Sequence, residues 1–399
     1  MTDTKRLSIL YVGTLPPHRG GSAVSGGLIM GGLARAGHRV RAVAPVTEET
    51  IQAGDNFATR NPAMGITRYV VPYFETAPNN PTSDDYYIKE RSEILRILPE
   101  LLVSERPDII FAGRETFARV VPAFARQHEI PCILRLAGGR TYGILSGAFD
   151  EALTETLLAE FRLANLLVTP ARHFQERLAP FKLPPIRFIP NAVDLAAFAP
   201  SAPNVKLLRE LGAKDGDVLI MHLSNLKDIK RCVDLVMSAE QALIQNPRLY
   251  YVIVGDGQLR KHLEAACWER SIRERFAFTG WVEHERVADY LNLADIVVMP
   301  SESEGQARVY LETQACGRTL LASDIASARD VVVQGKTGLL FRRGDIKDLT
   351  EKTLAVARDP QLRKSIGRQA RKRVGVHALD KVIAAYNYML GEVVESTVQ

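Results

Sequence analysis

The apolar run Ile296–Met299 leads into Pro300-Ser-Glu-Ser-Glu304-Gly-Gln-Ala-Arg-Val-Tyr-Leu-Glu312-Thr-Gln-Ala-Cys-Gly317. Four apolar residues, a polar loop that contains glycine, and a stretch with helical spacing predict a buried strand, a turn and a helix. Parallel strands need a crossover connection, which is usually a helix, so a strand followed by a helix is the repeating unit of a parallel sheet. The segment therefore predicts an α/β fold.

The same unit recurs along the rest of the chain. In the first half Leu28–Ala36 predicts a helix, and apolar runs predict strands at Leu7–Val12, Val40–Ala44, Ile109–Phe111, Ile133–Leu136, Leu166–Val168 and Phe188–Ile189. A second series follows the Pro/Ala-rich stretch Ala197–Pro203, with strands predicted at Val218–His222, Tyr250–Val254, Phe276–Thr279, Ile296–Met299, Thr319–Ala322 and Gly338–Phe341. Two such series predict two doubly wound sheets.

These series divide the chain into domains. We expect one Rossmann-like domain over residues 1–195, a second over residues 196–375, and a last helix in residues 376–399 that packs back on the first domain. Open parallel sheets bind ligands at the carboxyl ends of their strands. The expected site is therefore a cleft across which the two sheets face each other.

Composition limits the class of protein. A chain of 399 residues with 46% hydrophobic residues can bury two cores. It has no apolar run long enough to cross a bilayer, and its polar first residues lack a signal-peptide core, so we expect a cytoplasmic protein. A net charge of +5 and a pI near 8.9 favour an anionic substrate or peripheral contact with acidic lipids at the inner face of the membrane. We expect no nucleic-acid partner.

Glu304 and Glu312 are the most informative polar residues of the opening segment. On a straight helix their spacing corresponds to a rise of about 12 Å and a rotation of about 80°, so the two carboxylates cannot share one stripe. We therefore expect Glu304 in the loop before the helix and Glu312 within it. The helix N-terminus between them offers free N–H groups to an anion such as a diphosphate. The spacing alone also fits two solvated helix residues, so it must be interpreted with its context.

In that context the segment resembles family 4 of the retaining glycosyltransferases, which have the GT-B fold. In that family a strand ends in Pro-Ser, a first glutamate and a glycine follow, and a second glutamate precedes a small-residue run and a glycine. This chain reproduces the pattern with Pro300-Ser301, Glu304, Gly305, Glu312 and Ala315-Cys316-Gly317. The resemblance implies that the first domain binds the acceptor and that the second binds a nucleotide-sugar donor.

The resemblance also assigns roles within the segment. It implies that Glu304 contacts the donor sugar and that Glu312 binds the ribose. The diphosphate is expected on the backbone amides of Gly305, Gln306, Ala307 and Arg308. The last two residues depart from the family, which usually has glycine and an apolar residue there. We therefore expect Arg308 to add a positive charge to the site.

A second group of polar residues, His222-Leu-Ser-Asn225-Leu-Lys227-Asp-Ile-Lys230-Arg231, follows the strand Val218–His222. Fixed cations stabilise the negative charge that grows on a departing diphosphate. Lys230 matches the family's lysine, and Lys227 stands where the branch that makes glucosaminyl-malate for bacillithiol has arginine. The predicted catalytic residues are thus Glu304, Lys230 and Lys227, with Asn225 and Arg231 beside the donor. An exposed basic turn is the alternative.

Three further glycine-containing motifs match the family. Gly255-Asp-Gly257 and Phe278-Thr-Gly280-Trp-Val282 are expected to line the nucleotide pocket, with Gly255, Gly257 and Val282 as donor contacts. Gly21, in the loop after the first strand, is expected to let the backbone approach a phosphate. Taken singly, each motif also fits an ordinary turn, strand end or loop.

The acceptor side departs from the family. Arg114, Arg135 and Arg140 occupy two segments in which the family often has histidine. They predict contacts to an anionic acceptor, with exposed or salt-bridged arginines as the alternative. Asp215-Gly-Asp217 and Asp84-Asp85 contain the spacing of metal ligands but are better explained as a turn and a polar loop. We therefore expect no metal and no cofactor, since the nucleotide-sugar is a co-substrate.

The leading functional hypothesis is metal-independent sugar transfer with retention, in which a UDP-sugar is favoured and a GDP-sugar is the alternative. The acceptor is expected to be a small molecule, a glycan or a lipid-linked compound. A non-catalytic module that binds nucleotide-sugar or glycan is a second hypothesis, motivated by the missing histidines. An NAD-dependent Rossmann enzyme is a third hypothesis. This chain, however, lacks the complete Gly-x-Gly-x-x-Gly that such enzymes have after the first strand.

Overall fold

The computed structural model describes residues 6–18, 20–54, 56–71 and 85–398. The chain forms two compact units. The first unit ends at Ala192 and also takes up the segment that begins at Leu379, whereas the second is the continuous stretch Val193–Ala378. The boundaries lie at residues 192 and 379 where the sequence suggested 195 and 376.

The first unit is built on a parallel sheet of seven strands with the order β3-β2-β1-β4-β5-β6-β7. Its strands are β1 Ser8–Val12, β2 Arg39–Val46, β3 Met64–Val70, β4 Ile109–Ala112, β5 Cys132–Arg135, β6 Leu166–Thr169 and β7 Ile186–Phe188. Its helices are α1 Gly21–Arg35, α2 Glu48–Ala53, α3 Asn56–Arg60, α4 Asp85–Ser104, α5 Val121–Gln127, α6 Gly139–Ser146, α7 Glu151–Phe161 and α8 Arg172–Leu178.

The second unit has a parallel sheet of six strands with the order β10-β9-β8-β11-β12-β13. Its strands are β8 Val218–Leu223, β9 Leu249–Val254, β10 Phe276–Gly280, β11 Ile296–Met299, β12 Thr319–Ser323 and β13 Leu339–Phe341. Its helices are α9 Val205–Glu210, α10 Cys232–Gln245, α11 Arg260–Glu269, α12 Val287–Leu293, α13 Arg308–Ala315, α14 Ala326–Val331, α15 Ile346–Arg358 and α16 Pro360–Arg373. The last helix, α17 Leu379–Val398, belongs to the first unit.

Each sheet buries side chains on both faces. In β1, Leu10 and Val12 belong to one core and Ile9 and Tyr11 to the other. Strands covered by helices on both faces must be apolar at nearly every position, which is why they were visible as continuous apolar runs. Among the helices of the described ranges, none combines the length and apolar character needed to cross a bilayer.

Two elements differ from the sequence-based expectation. The strand β3 was not predicted, and α1 begins at Gly21 rather than at Leu28. The α1 segment is rich in glycine, which favours a loop in isolation. Tertiary packing accounts for the helix, because a Cβ at Gly32 would lie 2.4 Å from the Ile383 side chain of α17. The small residues of α1 thus allow α17 to approach closely.

Candidate functional site

The polar motifs of the second unit meet at the centre of its sheet. The strand order places β8 beside β11, and it is between these two strands that the order of the sheet reverses. In open α/β sheets, ligands bind outside the carboxyl ends of the strands at such a point. The loops that follow these strands are residues 224–231 and 300–307. The backbone N–H of Glu302 joins them by donating to the carbonyl of Ile229 at 2.8 Å.

Glu304 and Lys230 form an ion pair across these two loops. The ammonium Nζ of Lys230 lies 2.6 Å from Oε1 of Glu304, and the two side chains are 16% and 10% exposed. The hydroxyl of Ser301 donates to the same carboxylate oxygen at 2.7 Å. As helix geometry predicts, α13 begins only at Arg308, so Glu304 lies in the loop. Since both donors contact Oε1, Oε2 can accept from a ligand.

A buried histidine lies close to this pair. His222 is fully buried, with Nδ1 2.9 Å from the carbonyl of Val298 and Nε2 2.7 Å from the hydroxyl of Ser224. Because a carbonyl can only accept, Nδ1 carries the proton and Nε2 accepts from the hydroxyl. Burial lowers the pKa of His222 to about 4, and the charge of Lys230 acts in the same direction. His222 is therefore neutral at physiological pH.

The remaining residues of the 224–231 loop have structural partners. Arg231 has a left-handed backbone (φ 49°) and contacts Asp234 at 2.7 Å and Glu302 at 3.2 Å. Its guanidinium thus ties the loop to α10 and to the neighbouring loop. Lys227 precedes a short 3-10 turn, and its N–H donates to the carbonyl of Asn225 at 2.8 Å. The roles of Asn225, Lys227 and Arg231 toward a nucleotide-sugar stay predictions.

Two glycines allow the loop after β9 to pack on the loop after β8. Gly255 and Gly257 have φ values of 125° and 157°. A Cβ at the first would lie 1.9 Å from the carbonyl oxygen of Ser224, and one at the second 2.7 Å from the backbone of Leu226. Both positions therefore require glycine for packing, whatever they contact in a ligand. Val282, farther along the chain, packs against the core of the unit.

Glu312 lies within α13 and is held by two donors. Its Oε1 accepts from Arg308 at 2.9 Å and from Nε2 of His284 at 2.8 Å. Burial alone would raise the pKa of Glu312, but the charge of Arg308 and the hydrogen bond from His284 outweigh it, so the net pKa is lowered. Glu312 is therefore ionised at neutral pH. No motif had indicated His284, which lies 28 residues away in sequence.

The N-terminus of α13 faces the same loop region. Its N-cap residue is Ala307, which has no side-chain oxygen to accept from the first helical N–H groups. Gln306 beside it is buried. The backbone N–H groups of residues 305–308 are thus where the sequence suggested a diphosphate, and that role stays a prediction.

In the first unit, the predicted acceptor arginines contact internal partners. Arg135, at the end of β5, donates to Oδ1 of Asn191 at 2.7 Å, and Arg140 contacts Glu160 at 3.3 Å. Both are buried. Arg114 is stacked over Phe117. Arg114 also pairs with Glu90 at 3.9 Å. The alternative of salt-bridged arginines thus describes Arg114 and Arg140, while a role toward an acceptor stays a prediction for all three.

The remaining predicted positions are Gly21 and the two pairs of aspartates. Gly21 is the first residue of α1 rather than part of a loop, so its N–H is one of the free groups of a helix N-terminus. Asp217 lies in a turn around Gly216 and pairs with Arg275 at 2.7 Å, as expected for a turn. Asp84 lies outside the described residues, and Asp85 begins α4.

Two family models match the chain. Glycosyltransferase Family 4 matches residues 19–197, and Glycosyl transferases group 1 matches residues 206–373. Together the two matches extend through both units.

Two curated relatives align with part of the chain. The N-acetyl-alpha-D-glucosaminyl L-malate synthase of Bacillus anthracis is 27% identical over 176 residues, which are 42% of this chain and 44% of the relative. The GDP-mannose-dependent monoacylated alpha-(1-6)-phosphatidylinositol monomannoside mannosyltransferase of Corynebacterium glutamicum is 28% identical over 200 residues, which are 48% and 52% of the two chains. The chain thus spans about half the length of the curated relatives it matches.

Solved structures show the same fold. HepE of Anabaena in complex with UDP-glucose has a TM-score of 0.75 at 18% identity, and the match covers 98% of this chain and 100% of HepE. Sucrose-phosphate synthase of Thermosynechococcus elongatus has a TM-score of 0.81 at 18% identity, with coverage of 98% and 100%. These likenesses confirm the predicted architecture of two Rossmann-like domains. With both family models matched, the chain belongs to glycosyltransferase family 4 and has the GT-B fold.

Proposed function

We propose that this protein is a hexosyltransferase that moves a sugar from a nucleotide-sugar donor to an acceptor hydroxyl with retention at the anomeric carbon. The observation that carries the proposal is the contact between Lys230 and Glu304 where β8 and β11 meet. A UDP-sugar is the favoured donor, since HepE is described in complex with UDP-glucose. The GDP-mannose-dependent relative keeps a GDP-sugar as the alternative.

The reaction needs stabilisation of a leaving diphosphate. The bond between the anomeric carbon and the diphosphate oxygen breaks, and its electron pair stays on that oxygen. The acceptor hydroxyl bonds to the carbon on the same face, which gives retention, and its proton passes to the departing diphosphate oxygen. We assign Lys230 and Lys227 to the growing negative charge, together with the N–H groups of residues 305–308. An ammonium has three donors, so Lys230 can keep its contact to Glu304 and still donate to a phosphate oxygen. These groups make the proposed transfer metal-independent.

Two carboxylates hold the rest of the donor in this proposal. Oε2 of Glu304 accepts from a hydroxyl of the sugar, and Glu312 accepts from the ribose. Both groups are suited to this role because a carboxylate that is already ionised accepts from hydroxyls more strongly than a neutral acceptor does. The base then lies near Val282 and the Gly255-Asp-Gly257 turn.

The acceptor is proposed to be a small molecule, a glycan or a lipid-linked compound. Relatives of both kinds occur, since one is named for malate and another for a phosphatidylinositol mannoside. We retain Arg114, Arg135 and Arg140 as candidates for an anionic acceptor, which would have to compete with their internal partners. Because one relative is named for a phosphatidylinositol mannoside, we propose a cytoplasmic enzyme with peripheral contact at the inner face of the membrane.

The proposal is tested by incubating the purified protein with UDP- and GDP-sugars and measuring release of UDP or GDP with a panel of acceptors. Glu312→Ala is expected to lower the release rate at least 100-fold, roughly the effect of removing one well-placed polar group from an active site. Glu351→Ala is the matched control, because the Glu351 side chain is 63% exposed and pairs only within α15. Binding of a nucleotide-sugar without any release would instead support the non-catalytic module, and equal rates in both variants would contradict the assignment of Glu312.

A further inference from the structure

Glu302 connects three loops that follow strands of the second unit. It lies in the loop after β11, and its Oε2 accepts from Nη1 of Arg231, in the loop after β8, at 3.2 Å. Its Oε1 contacts Nη1 of Arg343, which lies between β13 and α15, at 3.0 Å. Each carboxylate oxygen thus has a cationic partner. We call these three residues the Glu302 bridge.

The bridge joins the two loops on either side of the predicted catalytic lysine. The N–H of Glu302 donates to the carbonyl of Ile229 at 2.8 Å, and its carboxylate contacts Arg231. Lys230 stands between these two residues and contacts Glu304, which follows Glu302 by two positions. Three successive residues of one loop therefore contact the other loop. The position of the Lys230 ammonium depends on how these loops are held together.

The backbone of Arg231 also depends on such contacts. The 3-10 turn Asp228–Lys230 ends at Arg231, whose φ of 49° lies in the left-handed region. This region is unfavourable for a residue with a side chain, and it persists where the surrounding structure holds it. Nε of Arg231 contacts Asp234, in the first turn of α10, at 2.7 Å. Contacts of the guanidinium thus hold the turn that carries Lys230.

The bridge is partly exposed. The side chains of Arg231 and Glu302 are 34% and 33% exposed, and that of Arg343 is 54% exposed. Isolated pairs of this kind contribute little to stability, whereas several charges in a network can hold a local geometry. We therefore expect loss of the bridge to displace the two loops without unfolding the unit.

We propose, resting on the role of Lys230 in the proposed function, that the Glu302 bridge positions the Lys230 ammonium for the departing diphosphate. Glu302 and Arg343 are then positioning residues that act through Lys230 and contact no substrate themselves. A displacement of about 1 Å can cost about 100-fold in rate. A bridge that contributes little to stability can therefore contribute strongly to turnover.

Nucleotide release by Glu302→Gln, measured over a range of donor concentrations, tests the proposal. The amide keeps the size of the side chain and removes its charge. We expect kcat to fall at least about tenfold and KM for the donor to change less than about threefold, because Lys230 acts on charge that grows in the transition state. Thermal melting checks that the variant is folded.

Arg343→Gln is the second variant, and it tests the bridge independently if Glu302→Gln does not fold. Glu302 keeps its contact to Arg231 in this variant, so kcat is expected to fall only about fivefold. The matched control is Arg342→Gln. The Arg342 side chain is 73% exposed and pairs with Asp345 in its own segment. Its kcat is expected within about twofold of wild type, as for an exposed pair that does not reach the site.

Combination with Lys230→Ala shows whether the bridge acts through Lys230. An ammonium that is absent cannot be positioned, so adding Glu302→Gln to Lys230→Ala should change the release rate by less than about twofold. These slow rates are measured with protein in excess of the donor. A bridge that only supports the fold would lower the rate by the same factor with and without Lys230.

Three results would overturn the proposal and leave the proposed function intact. Folded Glu302→Gln could keep the wild-type kcat, or it could lower the rate by the same factor in the Lys230→Ala background. Arg342→Gln could lower kcat as much as Arg343→Gln, which would show a general effect of charge. Absence of nucleotide release by wild-type protein with every donor and acceptor would reject the proposed function itself and the bridge with it.

Discussion

The two sheets differ in how they hold the cations that follow their strands. Lys230, after β8 in the second unit, contacts a loop carboxylate and remains 16% exposed. Arg135, at the end of β5 in the first unit, is 4% exposed and donates to Asn191. The Lys230 side chain keeps an exposed fraction through which a ligand can reach it, whereas removing the more deeply buried charge of Arg135 from its partners costs several kcal/mol. The second unit thus keeps its cation accessible to a ligand, and the first unit uses its cation to hold the fold.

The largest expected effect comes from Lys230→Ala, which removes the accessible cation. Turnover is expected to fall about 1,000-fold, roughly 4 kcal/mol of transition-state stabilisation, because the leaving diphosphate loses a fixed charge. Thermal melting checks the fold, because Glu304, which is 10% exposed, loses its cation in this variant. The measurement is the initial rate of nucleotide release, and the control is Lys347→Ala, since the Lys347 side chain is 82% exposed. A Lys230 variant within tenfold of wild type would remove the contrast between the units.

The next effect tests the held cation. Arg135→Met is expected to destabilise the first unit by about 3 kcal/mol, because Asn191 and the hydroxyl of Tyr386 lose a buried donor. Urea unfolding monitored by circular dichroism measures it, with the exposed Arg126→Met as the control. Equal stability of the two variants would show that Arg135 does not hold the fold.

The smallest effect concerns His222, the buried histidine close to Lys230. Burial lowers the pKa of His222 to about 4, below the ordinary value of 6.5. Between these pH values the unfolded chain binds more protons than the folded chain. The contribution of His222 to the free energy of unfolding is therefore fully present above pH 6.5 and is lost as the pH falls toward 4. The loss from this group at pH 5 is about 2 kcal/mol. Urea unfolding at pH 7 and pH 5 measures it.

The control for this prediction is His222→Asn, whose amide can still donate to the carbonyl of Val298. Between pH 7 and pH 5 the free energy of unfolding of this variant should fall by about 2 kcal/mol less than that of wild type. If both proteins lose equal stability, the acid sensitivity belongs to other groups. Protonation of His222 would then have no effect on the stability of the second unit.

The fold was largely predictable because both sheets are buried on both faces. The segment Ile296–Met299 was predicted as a strand and is β11, since four apolar residues between turns leave few alternatives. The edge strand β3, Met64–Val70, was missed because it mixes polar and apolar residues and has exposed positions. The start of α1 was missed because its glycines are selected by packing against α17, which no local pattern reveals.

The candidate site was predictable in its motifs but not in its contacts. Glu304 and Lys230 were expected in one site from a family resemblance, and the structure places them in direct contact although 74 residues separate them. The partners of Glu312 were different. An arginine four residues earlier suggested a charge for the ligand, and His284 carried no motif, so only the folded chain shows that both contact one carboxylate oxygen.

The close contact of Gly32 with Ile383 has a consequence for biosynthesis. The first unit joins α1, near the start of the chain, to α17, near residue 390, and Met30 and Leu33 share a core with Tyr386 and Met389. During translation, domains fold as their residues emerge. The second unit is continuous in sequence and can fold before α17 is synthesised. The first unit keeps an uncovered apolar face until α17 has left the ribosome.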